Sequence, residues 1–405
     1  MKIRAAAFGL IIALAGCAAP QGELDKAGAG TSVRTLTIGT DDVPGRPAAD
    51  AVEEFARQVS TRTDGRLRIE PRWKAAGEIA DDWDQQVARQ VIDGRLDMGV
   101  IPARAWDTEG VTSLRALNAP FLITTEEHLR RVLSGGLPRR MMKGLDGVGL
   151  TGLALLPEGM RRPFGYHRPL LSPEDYAGDS TAADKALADK SLRGMESAYW
   201  LAADHGWMVA SGNVTFFPKV NSLVIGDDVL EGLPGEQRTA LMEAAAAVSA
   251  WSLGRLPDEA KEAERFCAKG GSVQLATDSD LRALERAALP VYADLGRDAE
   301  TRELIGLIRH LGSGLPIASR TTACGVTRTP KTGSPGQTPD AFPEGVYRVE
   351  ISEEEFLRAG AKAHDARMHG GVNTLIVERG SWEWRLPSGE RTCGGPRPSR
   401  TAGSN

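Results

Sequence analysis

Asp41 and Asp42 stand side by side directly after an alternating segment, Thr35-Leu36-Thr37-Ile38-Gly39, and Arg104 and Trp106 follow an apolar run, Leu96-Asp97-Met98-Gly99-Val100-Ile101. Both pairs fall at the carboxyl ends of candidate strands, where open α/β sheets place their ligands. The two carboxylates suit a ligand amine or hydroxyl, although Asp42 equally suits a turn before Pro44. A guanidinium suits an acid and an indole suits a stacked face, with half-buried packing as the competing use of Trp106. Trp73 is a weaker candidate of the same kind. These are binding chemistries. The chain has six His in 405 residues and none sits in a nucleophile motif. His364 and His369 are five apart, not the i, i+4 spacing that puts two imidazoles on one helical face. Gly147-Val148-Gly149-Leu150-Thr151-Gly152 satisfies G-x-G-x-x-G, yet it follows a helix and opens a strand, the reverse of a dinucleotide site, and reads as a turn. The expectation is a binder and not an enzyme, with neither cofactor nor metal.

The N-terminus points to export. Met1-Lys2-Ile3-Arg4 is basic, Ala5 to Ala15 is apolar but far shorter than the ~20 residues of a membrane span, and Leu14-Ala15-Gly16-Cys17 follows. That order resembles a bacterial lipobox, in which residues 1–16 are removed and Cys17 is lipidated, holding the chain to the outside of a membrane. Residues 17–33 then read as a tether. A net charge of −5 from 49 basic and 54 acidic residues leaves no basic face for nucleic acid. Past the leader, Cys267, Cys324 and Cys393 allow one disulfide in an oxidising compartment. Cys324–Cys393 and Cys267–Cys324 are both open, with a lean to the first.

These residues need a scaffold, and periodicity supplies an α/β one. Strands are expected over Thr35–Gly39, Arg66–Glu70, Leu96–Ile101 and Gly149–Leu156, and helices over Ala48–Ser60, Asp84–Ile92, Glu126–Leu133, Pro138–Leu145, Asp278–Ala287 and Glu300–Leu311. The strand–helix–strand opening predicts a mostly parallel sheet. Glu236–Ala268 is the longest helical stretch, interrupted by Pro257. Residues 327–341, rich in Thr, Pro, Gly and Ser, read as a linker. A small α+β or β module is expected over 342–393, with strands at Gly345–Ile351, Thr374–Val377 and Trp382–Leu386 and an acidic helix at Glu353–Gly360. A disordered tail is expected over 394–405.

Five landmarks occur in order: Leu36-Thr37-Ile38-Gly39-Thr40; Phe55 to Gly65; Gly94-Arg95-Leu96-Asp97-Met98-Gly99; Ala119-Pro120-Phe121-Leu122; and Pro169 through Ser172-Pro173-Glu174-Asp175-Tyr176-Ala177-Gly178. Together with Leu192-Arg193-Gly194-Met195-Glu196 and Pro218-Lys219-Val220, they resemble the solute-binding proteins of tripartite ATP-independent periplasmic (TRAP) transporters. The resemblance spans Arg34 to about Leu315. It implies two α/β lobes within residues 34–326, joined by crossing strands and a long spanning helix, that close on a small solute, often a carboxylate, and deliver it to membrane permease subunits. It places Arg161, in Gly159-Met160-Arg161, at a carboxylate-binding position. It brings Glu196 to the cleft, against the plainer reading of a surface charge. The chain departs from the pattern after Gly178, where the strand carrying the family's second arginine has no counterpart, so the second lobe is expected to be shortened. That departure leaves an alternative: a degenerate binding fold serving as an envelope interaction protein through residues 342–393.

Overall fold

The computed structural model describes residues 33–77, 82–166, 168–176, 194–203, 208–316, 318, 321–324, 345–354, 367, 371–378, 381–388 and 391–396. The chain divides into two compact units, Met1–Thr327 and Arg328–Asn405. The expected leader with Cys17, the tether to residue 32, most of the shortened stretch after Gly178, the linker, most of the Glu353–Gly360 helix and both His364 and His369 lie outside the described residues.

The first unit opens as β1 (Arg34–Gly39), α1 (Pro47–Arg62), β2 (Leu67–Arg72), α2 (Trp83–Ile92) and β3 (Met98–Pro102), with β1 parallel to both β2 and β3. Helix α1 carries Ala48, Ala51, Val52, Phe55 and Val59 at helical spacing and turns them all inward. Strand β3 is buried along its whole length, as a strand covered on both faces must be. Gly99 within it leaves no room for a Cβ, because Ile101 and Val91 carbons would lie at 2.8 and 2.9 Å. Helices α3 (Glu126–Leu133) and α4 (Leu137–Met142) precede β4 (Leu150–Gly165).

Strand β4 is the spine of the unit. Between Leu150 and Arg161 it pairs antiparallel with β7 (Phe217–Gly226), with register shifts at Gly152/Ala154 and Pro157/Gly159, and β7 pairs in turn with β3, completing the sheet of lobe one. From Arg162 onward it pairs with β5 (Gly194–Ser197), and at Phe164 and Gly165 with β6 (Val209–Ser211), which runs parallel to β8 (Ser272–Gln274). One strand therefore serves both lobes, and the sheet order is β2-β1-β3-β7-β4-β6-β8 with β5 also on β4. The sheet is mixed and not mostly parallel: parallel pairing is confined to β1 with its neighbours and to β6 with β8.

The helical stretch interrupted at Pro257, expected as one kinked helix or two, is two, α7 (Gly235–Gly254) and α8 (Glu259–Ala268), after the short α5 (Tyr199–Ala202) and α6 (Asp227–Glu231). Leu256-Pro257 breaks it, and Asp258 caps α8 by accepting from the backbone N–H of Ala260 and Lys261. Helix α7 packs its Leu241, Ala244, Ala245 and Val248 with α1 into the lobe-one core. Helix α8 sends Ala263 and Phe266 to the lobe-two core with Phe164, Tyr199, Met208 and Val273. Strand β4 is irregular at Pro157–Gly159, where its register against β7 shifts. A Cβ on Gly159, whose φ is +128°, would lie 3.4 Å from the Pro257 ring, so the strand irregularity and the helix break lie against each other. Helices α9 (Asp278–Ala287), α10 (Leu289–Leu295) and α11 (Ala299–Leu311) follow, and Leu304, Ile305 and Ile308 of α11 return to the second core of lobe one.

The disulfide is Cys267–Cys324, with Cα atoms 6.2 Å apart, and this corrects the lean to Cys324–Cys393. Val273 and Cys324 exchange backbone hydrogen bonds of 3.0 and 3.1 Å, which lays Cys324 beside β8, just past the end of α8 where Cys267 sits. The second unit is an antiparallel four-stranded sheet, β9 (Gly345–Ile351), β10 (Gly371–Glu378), β11 (Ser381–Arg385) and β12 (Arg391–Pro396), in the order β12-β11-β10-β9. Cys393 lies on β12. Because β12 extends to Pro396, residues 394–396 are paired strand and do not begin the expected tail.

Candidate functional site

Arg161 is the last residue of β4 paired with β7, opposite Phe217, while Arg162 is the first paired with β5. It therefore stands at the point where the strand passes from one lobe to the other. Three residues before it is Glu158. In a regular strand the two would point to opposite faces, but the irregularity at Gly159 shifts the alternation by one, and Arg161 Nη2 lies 3.6 Å from Glu158 Oε2. Arg161 is 7 % exposed and Glu158 4 %, so neither charge faces bulk water.

From this pair an ion chain runs in both directions. On one side Glu158 Oε1 receives Lys219 Nζ at 2.8 Å and the Asn221 Nδ2–H at 2.6 Å, both from β7 and two residues apart, hence on one face. Lys219 also reaches Asp42 Oδ2 at 3.5 Å. On the other side Arg161 Nε lies 3.4 Å from Glu196 Oε1 on β5, and Glu196 Oε2 lies 3.8 Å from Arg104 Nη1. Arg104 Nε and Nη2 donate to Asp84 Oδ2 at 3.1 and 3.0 Å. Residues from α2, β4, β5, β7, the loop after β1 and the 3-10 turn Ala103–Asp107 thus converge on one place.

A cavity of about 330 Å³ adjoins this chain, lined by Thr40, Asp41, Asp42, Trp83, Asp84, Gln85, Arg104 and Lys219 with apolar walls from Val87, Val100, Ile101 and Pro102. Arg161 does not line it. It holds Glu158 and Glu196, which in turn hold the two cavity cations, Lys219 and Arg104.

Protonation follows from burial and neighbours. Burial and then the Asp84 and Asp42 charges push the Asp41 carboxyl up to about 6, against weaker opposition from Lys74 and Lys219. Burial also raises Asp42, opposed by Lys219 and reinforced by Glu158. Burial pushes Glu158 the same way, but Lys219, Arg161 and the Asn221 hydrogen bond override it and hold its carboxyl below the ordinary range. Asp41 forms neither an ion pair nor a hydrogen bond among the described residues.

The structure brings Asp41, Asp42, Arg104, Arg161 and Glu196 together. It does not bring Trp106 or Trp73. Trp106 is fully buried in the lobe-one core, and its indole N–H donates to Ser222 Oγ at 2.7 Å, so it packs and presents no face to a ligand. Trp73 is half-buried against the other lobe-one cluster and is not among the cavity residues. Phe121, read as packing, sits in a small satellite cluster with its ring 5.9 Å from that of Phe216. Position in the sequence does not mark Glu158, Lys219, Asn221, Trp83 or Asp84 as site residues. The expected strand stops at Leu156, just short of Glu158, whereas β4 continues through Pro157-Glu158-Gly159 as an irregularity within one strand. Among the described residues no group of three or more His, Cys, Asp or Glu is placed to hold a metal, and no helix is long and apolar enough to cross a membrane.

Residues 39–180 match the DctP family, described as bacterial extracellular solute-binding protein, family 7. Over that stretch the resemblance drawn from the five landmarks is borne out. An uncharacterized protein of Sinorhizobium fredii is 29% identical over 162 residues, 38% of this chain and 28% of the relative. A solute-binding protein of Verminephrobacter eiseniae is 26% identical over 169 residues, 41% of this chain and 45% of the relative. The matched stretches thus span less than half of these relatives' lengths. Among solved structures, DctP7 of Bordetella pertussis, a receptor binding pyroglutamic acid, superimposes with a TM-score of 0.60 at 15% identity, over 68% of this chain and 100% of that one. A TRAP periplasmic solute-binding protein of Polaromonas, bound to D-erythronate, gives 0.58 at 20% identity, over 68% and 98%. The two-lobed α/β fold is that of the TRAP solute-binding proteins, and the solved structures matched are of solute-binding proteins.

Proposed function

We propose that this chain is an extracytoplasmic solute-binding protein that captures a small polar or carboxylated solute in the cleft at the crossing strands and passes it to the permease of a TRAP-type transporter. The observation that carries the reading is the place of Arg161: a shielded guanidinium at the residue where β4 changes lobes, with charged side chains from both lobes arranged around it. Structure alone does not require a charge there. An apolar residue would cross between the lobes without the cost of burying ions, which even good pairing offsets only in part. The solutes named for the matched structures are small acids, and Met1 to Cys17 supports a lipid-anchored form held at the outer side of a membrane.

Calorimetric titration of small carboxylates, amino acids and polyols tests the reading, with Arg161→Ala as comparison. At least one solute should bind the parent, and the variant should lose tenfold or more, because Glu158 and Glu196 lose the guanidinium that orders them. Equal binding by parent and variant removes Arg161 from the site. A second reading, an envelope interaction protein acting through residues 342–393, draws support from Arg161 already holding two internal carboxylates. A chain that melts cooperatively, responds to no solute and captures an envelope protein only with those residues present would favour it.

A further inference from the structure

Glu196 stands where a ligand carboxylate would stand if two arginines were to hold it. Oε1 is 3.4 Å from Arg161 Nε and Oε2 is 3.8 Å from Arg104 Nη1, so one carboxylate spans guanidiniums from the crossing strand and from lobe one. The pairing is ionic only: Oε1 is shielded from water and accepts no hydrogen bond among the described residues. A shielded carboxylate oxygen with unfilled acceptor capacity favours an added donor and disfavours an added anion.

The cavity beside it has the same bias. Its two cations are already committed, Lys219 to Glu158 and Asp42, Arg104 to Asp84 and Glu196. Asp41 has no such partner, so the unmet charge in the lining is negative. Lys74 and Arg46 stand outside the lining and act on these aspartates only through their fields. Trp83, 48 % exposed, adds an aromatic face of the kind that attracts cations.

We infer that Glu196 is a specificity-determining residue: an internal carboxylate that fills the anion seat between Arg161 and Arg104, so that the cavity selects small solutes bearing an ammonium group, the zwitterionic amino-acid class, over solutes whose only charge is a carboxylate. The ammonium meets the Asp41 side of the cavity, and its charge offsets the carboxylate that the same solute brings near Lys219 and Arg104. This inference rests on the solute-capture reading and narrows it.

Pairs of 2-amino acids and 2-hydroxy acids sharing a carbon skeleton, titrated calorimetrically into the parent and into Glu196→Gln, test it. The parent should bind at least one amino acid tenfold or more tighter than its hydroxy partner. The uncharged isostere should shrink or invert that ratio by at least tenfold, mainly by gaining affinity for the hydroxy acid. Glu196→Asp, which keeps the charge but withdraws it from the seat, should act in the same direction to a lesser degree. A parent that binds the hydroxy acid as well as the amino acid overturns the inference while solute capture stands. An unchanged ratio in both variants, with melting temperatures at the parent's, overturns the role of Glu196. Absence of binding by parent and variants across both halves of the panel removes capture and the inference together.

Discussion

Replacing Asp41 by Asn should stabilise this protein above neutral pH and do nearly nothing in acid. Asp41 is held at about 6 against an ordinary 3.8, with burial as the first cause and Asp84 and Asp42 as the next. For a group sealed from water that displacement would be worth about 3 kcal/mol. Asp41 is only partly covered and solvent screens its neighbours, which reduces the figure to about 1 kcal/mol. The sign follows from the direction. A raised carboxyl means that the folded chain holds its proton more tightly than the unfolded one, so the group favours folding fully below about pH 4, and that contribution is lost as pH rises through about 6. Asn carries no charge at any pH. Relative to the parent it should therefore gain nothing at pH 4 and about 1 kcal/mol at pH 8, a rise of about 2 °C in melting temperature for a unit of this size. Melts of both proteins at the two pH values measure it. A variant less stable than the parent at pH 8, or shifted equally at both, would refute the reasoning and show that the Asp41 anion is compensated in the free protein. Where stabilisation is accompanied by loss of solute binding, the destabilising carboxylate is retained for ligand contact.

Two further outcomes follow from lobe two. Arg162 is wholly buried, pairs with Glu259, donates from Nη1 to the Gly212 carbonyl at 2.6 Å and lies over the Tyr199 ring at 4.4 Å; Glu259→Gln should cost about 3 kcal/mol in urea titrations, and replacing both residues by apolar ones of similar size should recover most of it. Reducing Cys267–Cys324, which are 57 residues apart, should cost up to about 4 kcal/mol, read as a lower urea midpoint with reductant present.

How far the chain could be read depended on where polarity and periodicity agreed. Helix α9 spans the expected Asp278–Ala287, because Thr277 and Asp280 form a capping box at its start and its apolar positions keep helical spacing. Strand β9 likewise has the expected bounds, since Gly345 to Ile351 alternates without interruption. Strand β7 was not recognised. Pro218, Lys219, Asn221 and Ser222 break its apolar pattern, yet all but Lys219 are buried, because polar side chains there meet Glu158, Trp106 and the Ile101 carbonyl across the crossing strands. The same cause cut β4 short in the reading: Pro157-Glu158-Gly159 has the composition of a turn, and only tertiary pairing to β7 keeps it extended. Sequence thus marked Asp41, Asp42 and Arg104 by their positions after strands, and Arg161 and Glu196 by resemblance. It could not show the acids and the lysine that link them, which are distant in the chain and meet only once the strands cross.

The strand irregularity at Gly159 and the helix break at Pro257 lie against each other and mark the line where the lobes join. The register of β4 against β7 shifts along that line, and α7 and α8 are separate helices on either side of it. Charges also reach across it: Glu196 Oε2 of β5 lies 3.8 Å from Arg104 Nη1 of lobe one, and Coulomb attraction at such half-wet contacts weakens with dissolved electrolyte.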